Sequence, residues 1–218
     1  MSPDRVSVQK ARLHPMRRIN LAMIALGGNW PSHIGVPNLT IVSAIGDIAQ
    51  EIGPIVAVSR FFRTPAHPLG SGPEFVNAAA LVETGRRPQA ILQSLHEIEA
   101  RHGRVRKKRW GPRTLDLDLL GIGEKILPDS ITSRHWMALS PDRQQIEVPD
   151  ELILPHPRLQ DRAFVLIPLA EIAPGWRHPQ IGKTVAEMAA ALPAEERAAI
   201  CPPAPGNLFL SRENGTHT

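Results

Sequence analysis

The hydrophobic residues of this chain change between strand-like and helical spacing, in an order that predicts a mixed α and β protein. Ile19 to Leu26 is a short apolar run that ends at Gly27-Gly28-Asn29, which predicts a buried strand and a tight turn. From Asn38 to Ile52 apolar residues recur at the spacing of one helix face, and Gly53-Pro54 ends the pattern. The chain therefore opens with a strand and a helix.

Three further strands and a second helix are expected next. Ile55 to Phe62 and Phe75 to Glu83 are rich in branched and aromatic residues, which favour strands. The segment 63–74 between them is too long for a tight hairpin, and we expect it to form a pocket wall or a lid. Pro88 begins a helical pattern that ends at Gly103, and residues 113–120 alternate as in a strand.

This order predicts an α+β fold of the ferredoxin-like βαββαβ type. Its antiparallel sheet carries helices packed on one face, and we expect the other face to be free for a site. Residues 164–172 and 184–192 predict C-terminal helical additions. Residues 121–154 are interrupted by three prolines, and they are interpreted as a strand remnant and an inserted loop.

The same pattern divides the chain into three parts. Residues 1–18 are basic and lack a long apolar segment, so we expect a flexible N-terminal extension with Met16 as an alternative start. Residues 19–193 form the expected domain, with a peripheral insertion at about 128–148. Residues 194–218 are rich in proline, glycine and polar residues, which predicts a loose tail.

Composition and charge narrow the class of protein. The 218 residues are 42% hydrophobic and 21% charged, which is ordinary for a soluble globular chain. The net charge of +4 indicates an anionic partner without specifying which one. The single cysteine, Cys201, excludes an internal disulfide, and the apolar runs are too short for a membrane span. We expect a cytoplasmic protein.

The densest group of chemically active residues spans 104–118. Asp116 and Asp118 alternate with leucines, so both carboxylates are expected on one face of a strand. Adjacent carboxylates repel each other unless a cation lies between them. Magnesium is a suitable cation, because it takes oxygen ligands and is usually held by one or two carboxylates and substrate phosphates.

A cationic segment precedes the two aspartates. Residues 101–113 contain seven Lys or Arg side chains and no acid, and guanidinium groups pair well with phosphate oxygens. Taken separately, the basic segment is typical of a solvated loop, and the Asp-Leu repeat is typical of a half-exposed strand. Their connection through the rigid turn Trp110-Gly111-Pro112 favours a site for metal-assisted phosphate chemistry.

Other functions fit the sequence less well. Gly182-Lys183-Thr184 resembles the end of a phosphate-binding loop, but Arg177 stands where the first glycine is required. Zinc-binding patterns and a serine hydrolase elbow are absent. A sheet that binds single-stranded nucleic acid would expose aromatic residues, whereas these make up 4% of the chain and tyrosine is absent. We therefore expect neither a nucleic-acid nor a membrane partner.

Residues 109–118 resemble the signature of the 6-hydroxymethyl-7,8-dihydropterin pyrophosphokinase family of the folate pathway. The resemblance extends, in the family's order, from Ile19 to Pro193. The further matching segments are Ala25-Leu-Gly-Gly-Asn29, Ser59-Arg-Phe-Phe-Arg-Thr-Pro65, Glu74-Phe-Val-Asn-Ala-Ala79, Ile98-Glu99 with Gly103-Arg-Val-Arg106, and Pro155-His-Pro-Arg158 with Arg162-Ala-Phe164. The resemblance implies an ATP-dependent diphosphotransferase that acts on a reduced pterin, releases AMP and works as a monomer.

The resemblance also implies roles on the nucleotide side. Asp116 and Asp118 would bind two magnesium ions that bridge the triphosphate of ATP. These aspartates, together with Arg104 and Arg113, would be the catalytic residues. The chain from Arg104 to Arg113 would form a mobile loop over the nucleotide. The residues implied in ATP binding are Glu99, Arg106, Trp110, His156, Arg158 and Arg162.

On the pterin side, the resemblance implies that Asn77 and the backbone around Thr64 and Pro65 read the polar edge of the ring. Phe75 and Phe164 would hold the ring itself. Without the resemblance, the two phenylalanines would be interpreted as core residues and Asn77 as a polar contact of a turn or strand.

Three features depart from the family's pattern. Gly28 stands where the family usually has serine, so a hydroxyl contact is missing there. The loop before Trp110 is slightly short. The insertion at about 128–148 has no role in the common pattern, and we predict that it lies beside the site without taking part in the reaction.

Overall fold

The computed structural model describes residues 19–66, 72–104 and 113–202. Within these ranges, strands and helices follow one another in the order that the hydrophobic pattern predicts for the first half of the chain. The elements are β1 (Asn20–Gly28), α1 (Pro37–Glu51), β2 (Ile55–Val58), β3 (Phe62–Thr64), β4 (Phe75–Thr84), α2 (Pro88–Arg101), β5 (Asp116–Ile122), α3 (Ser130–Met137), α4 (Pro141–Ile146), α5 (Ala163–Ile172), α6 (Val185–Ala191) and α7 (Ala194–Ala198).

The strands form one antiparallel sheet in the order β2-β4-β1-β5, with β3 also paired to β4. This arrangement confirms the α+β fold. The strand expected over 55–62 is divided into two. Between β2 and β3, Ser59 donates its N–H to the carbonyl of Ala79 and accepts the Ala79 N–H on its hydroxyl, both at 2.9 Å. A side chain thus replaces the backbone acceptor, and an extra residue shifts the register.

One face of the sheet packs on α1 and α2. Both helices begin with proline at the first turn, where its missing N–H costs no hydrogen bond. Ile48 of α1 and Leu95 of α2 are fully buried, and they share one core cluster with the buried strand residues Ile24, Leu26 and Leu117. Burying such side chains stabilises the fold by roughly 2 kcal/mol each, which makes this layer the principal core.

The opposite face of the sheet is covered over part of its area by α5 and α6. Met23, Leu81 and Leu120 project from the strands and pack with Leu166 and Val185. The expectation that this face is free was therefore wrong for the part that these helices cover. The physical reason is the apolar character of the strand residues themselves, since Met23 and Leu120 could not remain in water without cost.

Residues 128–153 form a projection that is closed at its base by two hydrogen bonds between the backbones of Leu127 and Leu154, at 2.8 and 3.1 Å. The sequence was interpreted as a loop here, but the projection contains α3 and α4. Asp129 and Ser140 cap the two helices by accepting N–H groups of the first turns. The prolines that suggested an irregular loop instead flank two short helices, with Pro128 before α3, Pro141 as the first residue of α4 and Pro149 after it.

The expected tail begins with regular structure. Residues 194–198 form α7, and Cys201 exchanges two backbone hydrogen bonds with Arg63, at 2.8 and 3.1 Å. The prediction of a loose segment from residue 194 is corrected for this part, because its backbone pairs beside β3. Residues 1–18 and 203–218 lie outside the described residues.

Candidate active site

The two aspartates of β5 lie on the face of the sheet that carries α5 and α6. Asp116 is opposite Gly27 in the register of β1, and Asp118 is opposite Ala25. The intervening Leu117 faces the other core, as the alternation predicts. The aspartates therefore stand beyond the edge of the α5 and α6 layer, where the same sheet face changes from apolar to polar.

Asp116 is held by two arginines that approach from opposite ends of the cationic segment. Arg104 and Arg113 both form ion pairs with its carboxylate. Partial burial opposes the charge of Arg104, but Asp116 and Glu99 more than compensate and raise its pKa. The structure thus brings three of the expected catalytic residues into direct contact.

Glu99 supports this cluster from below. Its side chain is only 2% exposed, pairs with Arg104 and accepts the N–H of Leu117 at 2.8 Å. A carboxylate so enclosed presents almost no surface to a nucleotide. In this structure the Glu99 carboxylate is therefore not exposed for the contact with ATP that the resemblance implies. The geometry favours a role in positioning Arg104.

Asp118 faces a second group of cations. Arg162 Nη1 lies 3.3 Å from its carboxylate. Burial alone would raise the pKa of Asp118, but His156 when it is protonated and the permanent charges of Arg162 and Arg113 outweigh burial and lower that pKa. Asp118 is therefore an anion at neutral pH, and it is held by a different arginine from those on Asp116.

His156 is a neutral ring at neutral pH. Burial and the neighbouring Arg162 lower its pKa to about 4. The ring Nδ1 accepts the backbone N–H of Arg158 at 3.1 Å, and the backbone N–H of His156 donates to the carbonyl of Leu120 at 2.8 Å. These bonds fix the segment that carries His156, Arg158 and Arg162 against β5, next to Asp118.

The polar surface continues across the sheet to β4. Asn77 lies opposite Gly27 on the side away from Asp116, and its Nδ2 donates to Thr64 Oγ1 at 2.8 Å. A side chain at Gly27 would place Cβ 2.8 Å from Asn77 Oδ1. Glycine at this position therefore lets the Asn77 amide lie directly against the backbone of β1.

The residues expected to hold a ring differ in exposure. Phe75 is half-buried on β4, whereas Phe164 is 39% exposed at the start of α5. The guanidinium of Arg162 lies 5.6 Å from the centre of the Phe164 ring, within the range of a cation–π contact. Phe164 is thus available for contact with a ligand, and Pro65 is exposed after β3.

Asn29 has a structural role that the sequence interpretation missed. Its Oδ1 accepts the N–H of Arg113 at 2.9 Å, and its Nδ2 donates to the carbonyl of Pro73 at 3.2 Å. The Arg113 carbonyl in turn accepts the N–H of Asn29 at 2.9 Å. The only signal in the sequence was its position after two glycines, where polar side chains often bind loop backbone.

Two expected ATP-binding residues, Arg106 and Trp110, lie outside the described residues, as does most of the cationic loop. Within the described ranges, groups of three or more His, Cys, Asp or Glu that could hold a metal ion are absent. In the same ranges, helices are too short or too polar to cross a membrane.

Fold and site together define an α+β protein whose carboxylates and converging arginines suit the binding of phosphate groups. Residues 23–174 match the family model described as 7,8-dihydro-6-hydroxymethylpterin-pyrophosphokinase. The chain belongs to this family, and it is an enzyme of the pyrophosphokinase class.

Curated relatives from bacteria agree with this assignment. A protein of Synechocystis named 2-amino-4-hydroxy-6-hydroxymethyldihydropteridine pyrophosphokinase is 34% identical over 186 residues, which are 85% of this chain and 81% of the relative. A protein of the same name from Pseudomonas aeruginosa is 41% identical over 143 residues, 65% of this chain and 74% of the relative.

A solved structure of similar fold is the wild-type HPPK-DHPS of Plasmodium falciparum. It matches with a TM-score of 0.58 at 14% identity and covers 79% of this chain. The match spans 44% of that longer protein. At this level of identity the comparison shows a shared fold, which is the α+β arrangement found here.

Proposed function

We propose that the protein transfers the β,γ-diphosphate of ATP to the hydroxymethyl oxygen of 6-hydroxymethyl-7,8-dihydropterin, a step of folate biosynthesis. The oxygen forms a bond to the β-phosphorus, the bond from that phosphorus to the α-phosphate oxygen breaks, and AMP leaves. The hydroxyl proton is released to solvent. The observation that carries the proposal is the polar part of this sheet face, in which Asp118 and Asp116 of β5 stand in register with β1 and the hydrogen-bonded pair Asn77 and Thr64 lies across Gly27.

The nucleotide side of this surface is suited to a triphosphate. Arg104, Arg113 and Arg162 all approach the carboxylates of β5. Phosphoryl transfer depends mainly on positioning and on neutralisation of charge, for which converging guanidinium groups are appropriate. Because Nδ1 of neutral His156 accepts the N–H of Arg158, its Nε2–H can donate a hydrogen bond to a phosphate oxygen without adding charge.

Asp116 and Asp118 fit the requirements of magnesium. Two carboxylates on one strand face give fewer ligands than a complete protein cage, which matches an ion that arrives with substrate phosphates and retains water. When bound, magnesium would supply charge neutralisation at the triphosphate. In the present structure arginines provide that neutralisation, so ion binding would require Arg113 or Arg104 to exchange partners.

The pterin side of the surface combines an amide with a hydroxyl. Asn77 both donates and accepts hydrogen bonds, and its contact with Thr64 orients the amide. Gly27 lets the Asn77 amide lie against the backbone of β1, and Phe75 and Phe164 offer aromatic faces to a flat ring. The backbone at Thr64 and Pro65 completes this proposed pocket.

We extend the proposal to a monomer that acts in the cytoplasm. The support is that the described residues of the proposed site make their contacts with one another within a single copy of the chain. Sedimentation of the purified protein with both substrates tests the monomer, and a dimer under those conditions would contradict it.

The decisive experiment is product analysis with ATP, magnesium and 6-hydroxymethyl-7,8-dihydropterin. We expect AMP and the pterin diphosphate in equal amounts. Formation of ADP, or no product from protein with a cooperative unfolding transition, would refute the proposed reaction.

A further inference from the structure

The projection of residues 128–153 is fixed to the body of the protein at more than its base. Gln180 accepts a hydrogen bond from Arg134 Nε at 3.0 Å and donates to the carbonyl of Ser130 at 3.0 Å. Both residues belong to α3, and Gln180 belongs to the turn before α6. Helix α3 therefore has a defined position relative to the active site.

A cavity of about 450 Å³ opens between this projection and β5. Trp136 of α3 lines one side, together with Leu92 of α2 and Leu152. Asp118, His156, Arg158 and Arg162 line the side that belongs to the candidate active site. One cavity is thus shared by the projection and by the cations expected to bind phosphate.

The charge distribution in the cavity has a direction. Arg158 and Arg162 stand beside β5, while Asp150 and Glu151 are carried by the segment that returns from α4. A phosphate chain is attracted to the first pair and repelled by the second. A ligand with phosphates at one end would therefore lie with its other end towards the projection, where Trp136 and the leucines form an apolar wall.

We infer that Trp136 binds the nucleoside part of ATP by stacking on its base, so that the projection supplies a residue for substrate affinity. This inference rests on the proposed function, because ATP is the ligand whose phosphates would occupy the cationic side. Trp136 is half-buried in α3, and His135 packs against its indole at an edge-on angle of 81° with ring centres 6.0 Å apart. The projection then takes part in binding, in contrast to the peripheral role expected from the sequence.

The test compares equilibrium ATP binding by calorimetry in Trp136→Ala, Trp136→Phe and the unchanged chain. Stacking on one base contributes on the order of 1–3 kcal/mol, so Trp136→Ala should weaken ATP binding by about 5- to 100-fold. Trp136→Phe should stay within about 3-fold, because a phenyl ring still offers a stacking face. Trp30→Ala is the matched control, since Trp30 is also partly exposed but lies outside the cavity lining.

Pterin affinity and the unfolding midpoint of each variant show whether the effect is local. An ATP affinity of Trp136→Ala within 2-fold of the unchanged chain would overturn the inference. So would an equal loss in Trp136→Phe, or a parallel loss of pterin affinity. Failure of the proposed reaction is recognised separately: if the chain binds ATP through Trp136 but forms no AMP, the reaction is refuted and the inference stands.

Discussion

The two faces of the sheet differ in how far their apolar residues extend. Towards α1 and α2, side chains from Ala22 to Leu26 are buried without interruption by polar groups. Towards α5 and α6, the apolar layer ends near Ala25, and Asp116 and Asn77 occupy the next row. One face thus serves mainly stability, with Glu99 of α2 reaching Arg104 at its edge, whereas the other combines stability with chemistry.

The difference explains why so many arginines are required. Carboxylates on a sheet face that is half-covered by apolar helices lose part of their hydration, which disfavours the charged form. Arg104 and Arg113 stabilise the charged form of Asp116, and Arg162 stabilises that of Asp118. Helix α2 carries a buried carboxylate of its own, Glu99, which Arg104 also neutralises. Variants of the two faces should therefore separate effects on turnover from effects on folding.

The largest expected effect is on turnover, and it comes from the polar part of the sheet face that α5 and α6 partly cover. Asp118→Ala should reduce AMP formation on the order of 10³-fold or more, because the variant loses a carboxylate that is proposed to hold magnesium at the triphosphate. Steady-state kinetics measures the change, and pterin binding, followed by fluorescence, should remain nearly unaltered. Turnover within 10-fold of the unchanged chain would show that Asp118 is not part of the transfer machinery. Asp118→Asn is the matched variant of equal size.

A comparison of the two cores should come next in size. Ile48 in α1 and Leu166 in α5 are both fully buried. Replacing either residue by alanine should lower the free energy of unfolding by about 3 kcal/mol, measured by urea denaturation. The kcat/KM of the Ile48 variant should be unchanged. It should fall in the Leu166 variant, because α5 follows directly after Arg162 and carries Phe164. Equal kinetic effects would contradict the division between the faces.

Acid should lower the free energy of unfolding through His178, which lies before α6. Burial lowers the pKa of His178 to about 4, and its Nδ1 accepts the N–H groups of Gln180 and Ile181. Between about pH 4 and 6.5 the unfolded chain therefore binds more protons, so the free energy of unfolding falls as pH falls through this window. The contribution of His178 reaches about 3 kcal/mol at the acid end.

Urea denaturation of the unchanged chain, His178→Gln and the control His135→Gln at pH 7 and pH 5 measures this dependence. His178→Gln should flatten the pH dependence, whereas replacement of the exposed His135 should leave it intact. His156 contributes in the same direction, since its pKa is also lowered to about 4. A pH dependence that is the same in all three proteins would argue against the assignment to His178.

The smallest effect is expected from Asn29, which joins the loop at Pro73 to the segment at Arg113 beside Asp116. Asn29→Ala removes the acceptor for the Arg113 N–H and the donor to Pro73, at a cost of about 1–3 kcal/mol in stability. Asn29→Asp keeps the acceptor and loses the donor, so its kcat should lie closer to that of the unchanged chain. If both variants lost kcat equally, the bond to Arg113 would not be the important one.

Local periodicity was sufficient to predict α1, α2 and the alternation of β5, because each of these elements has one buried and one exposed side. It predicted α5 as a helix that packs on the sheet, but the mostly apolar sequence of α5 gave no preferred face and so did not show which face of the sheet it covers. The short helices α3 and α4 were missed for a related reason, since they have too few turns to show a period.

The candidate site was predictable as a set of residues rather than as a set of contacts. Asp116, Arg104 and Arg113 are close in sequence, and their meeting follows from one loop and one strand. The bonds of Asn29 join residues 44 and 84 positions apart, and a single sequence does not contain that distance information. The enclosure of Glu99 beneath β5 was hidden for the same reason.

Gly28 restricts how this chain can change during evolution. A Cβ at this position would lie 2.7 Å from the carbonyl oxygen of Thr114, a backbone atom that cannot move alone. A serine at position 28 would therefore require the Arg113 to Thr114 segment to shift first. Substitutions at Gly28 and in that segment are expected to be epistatic, since the first is tolerated only after the second.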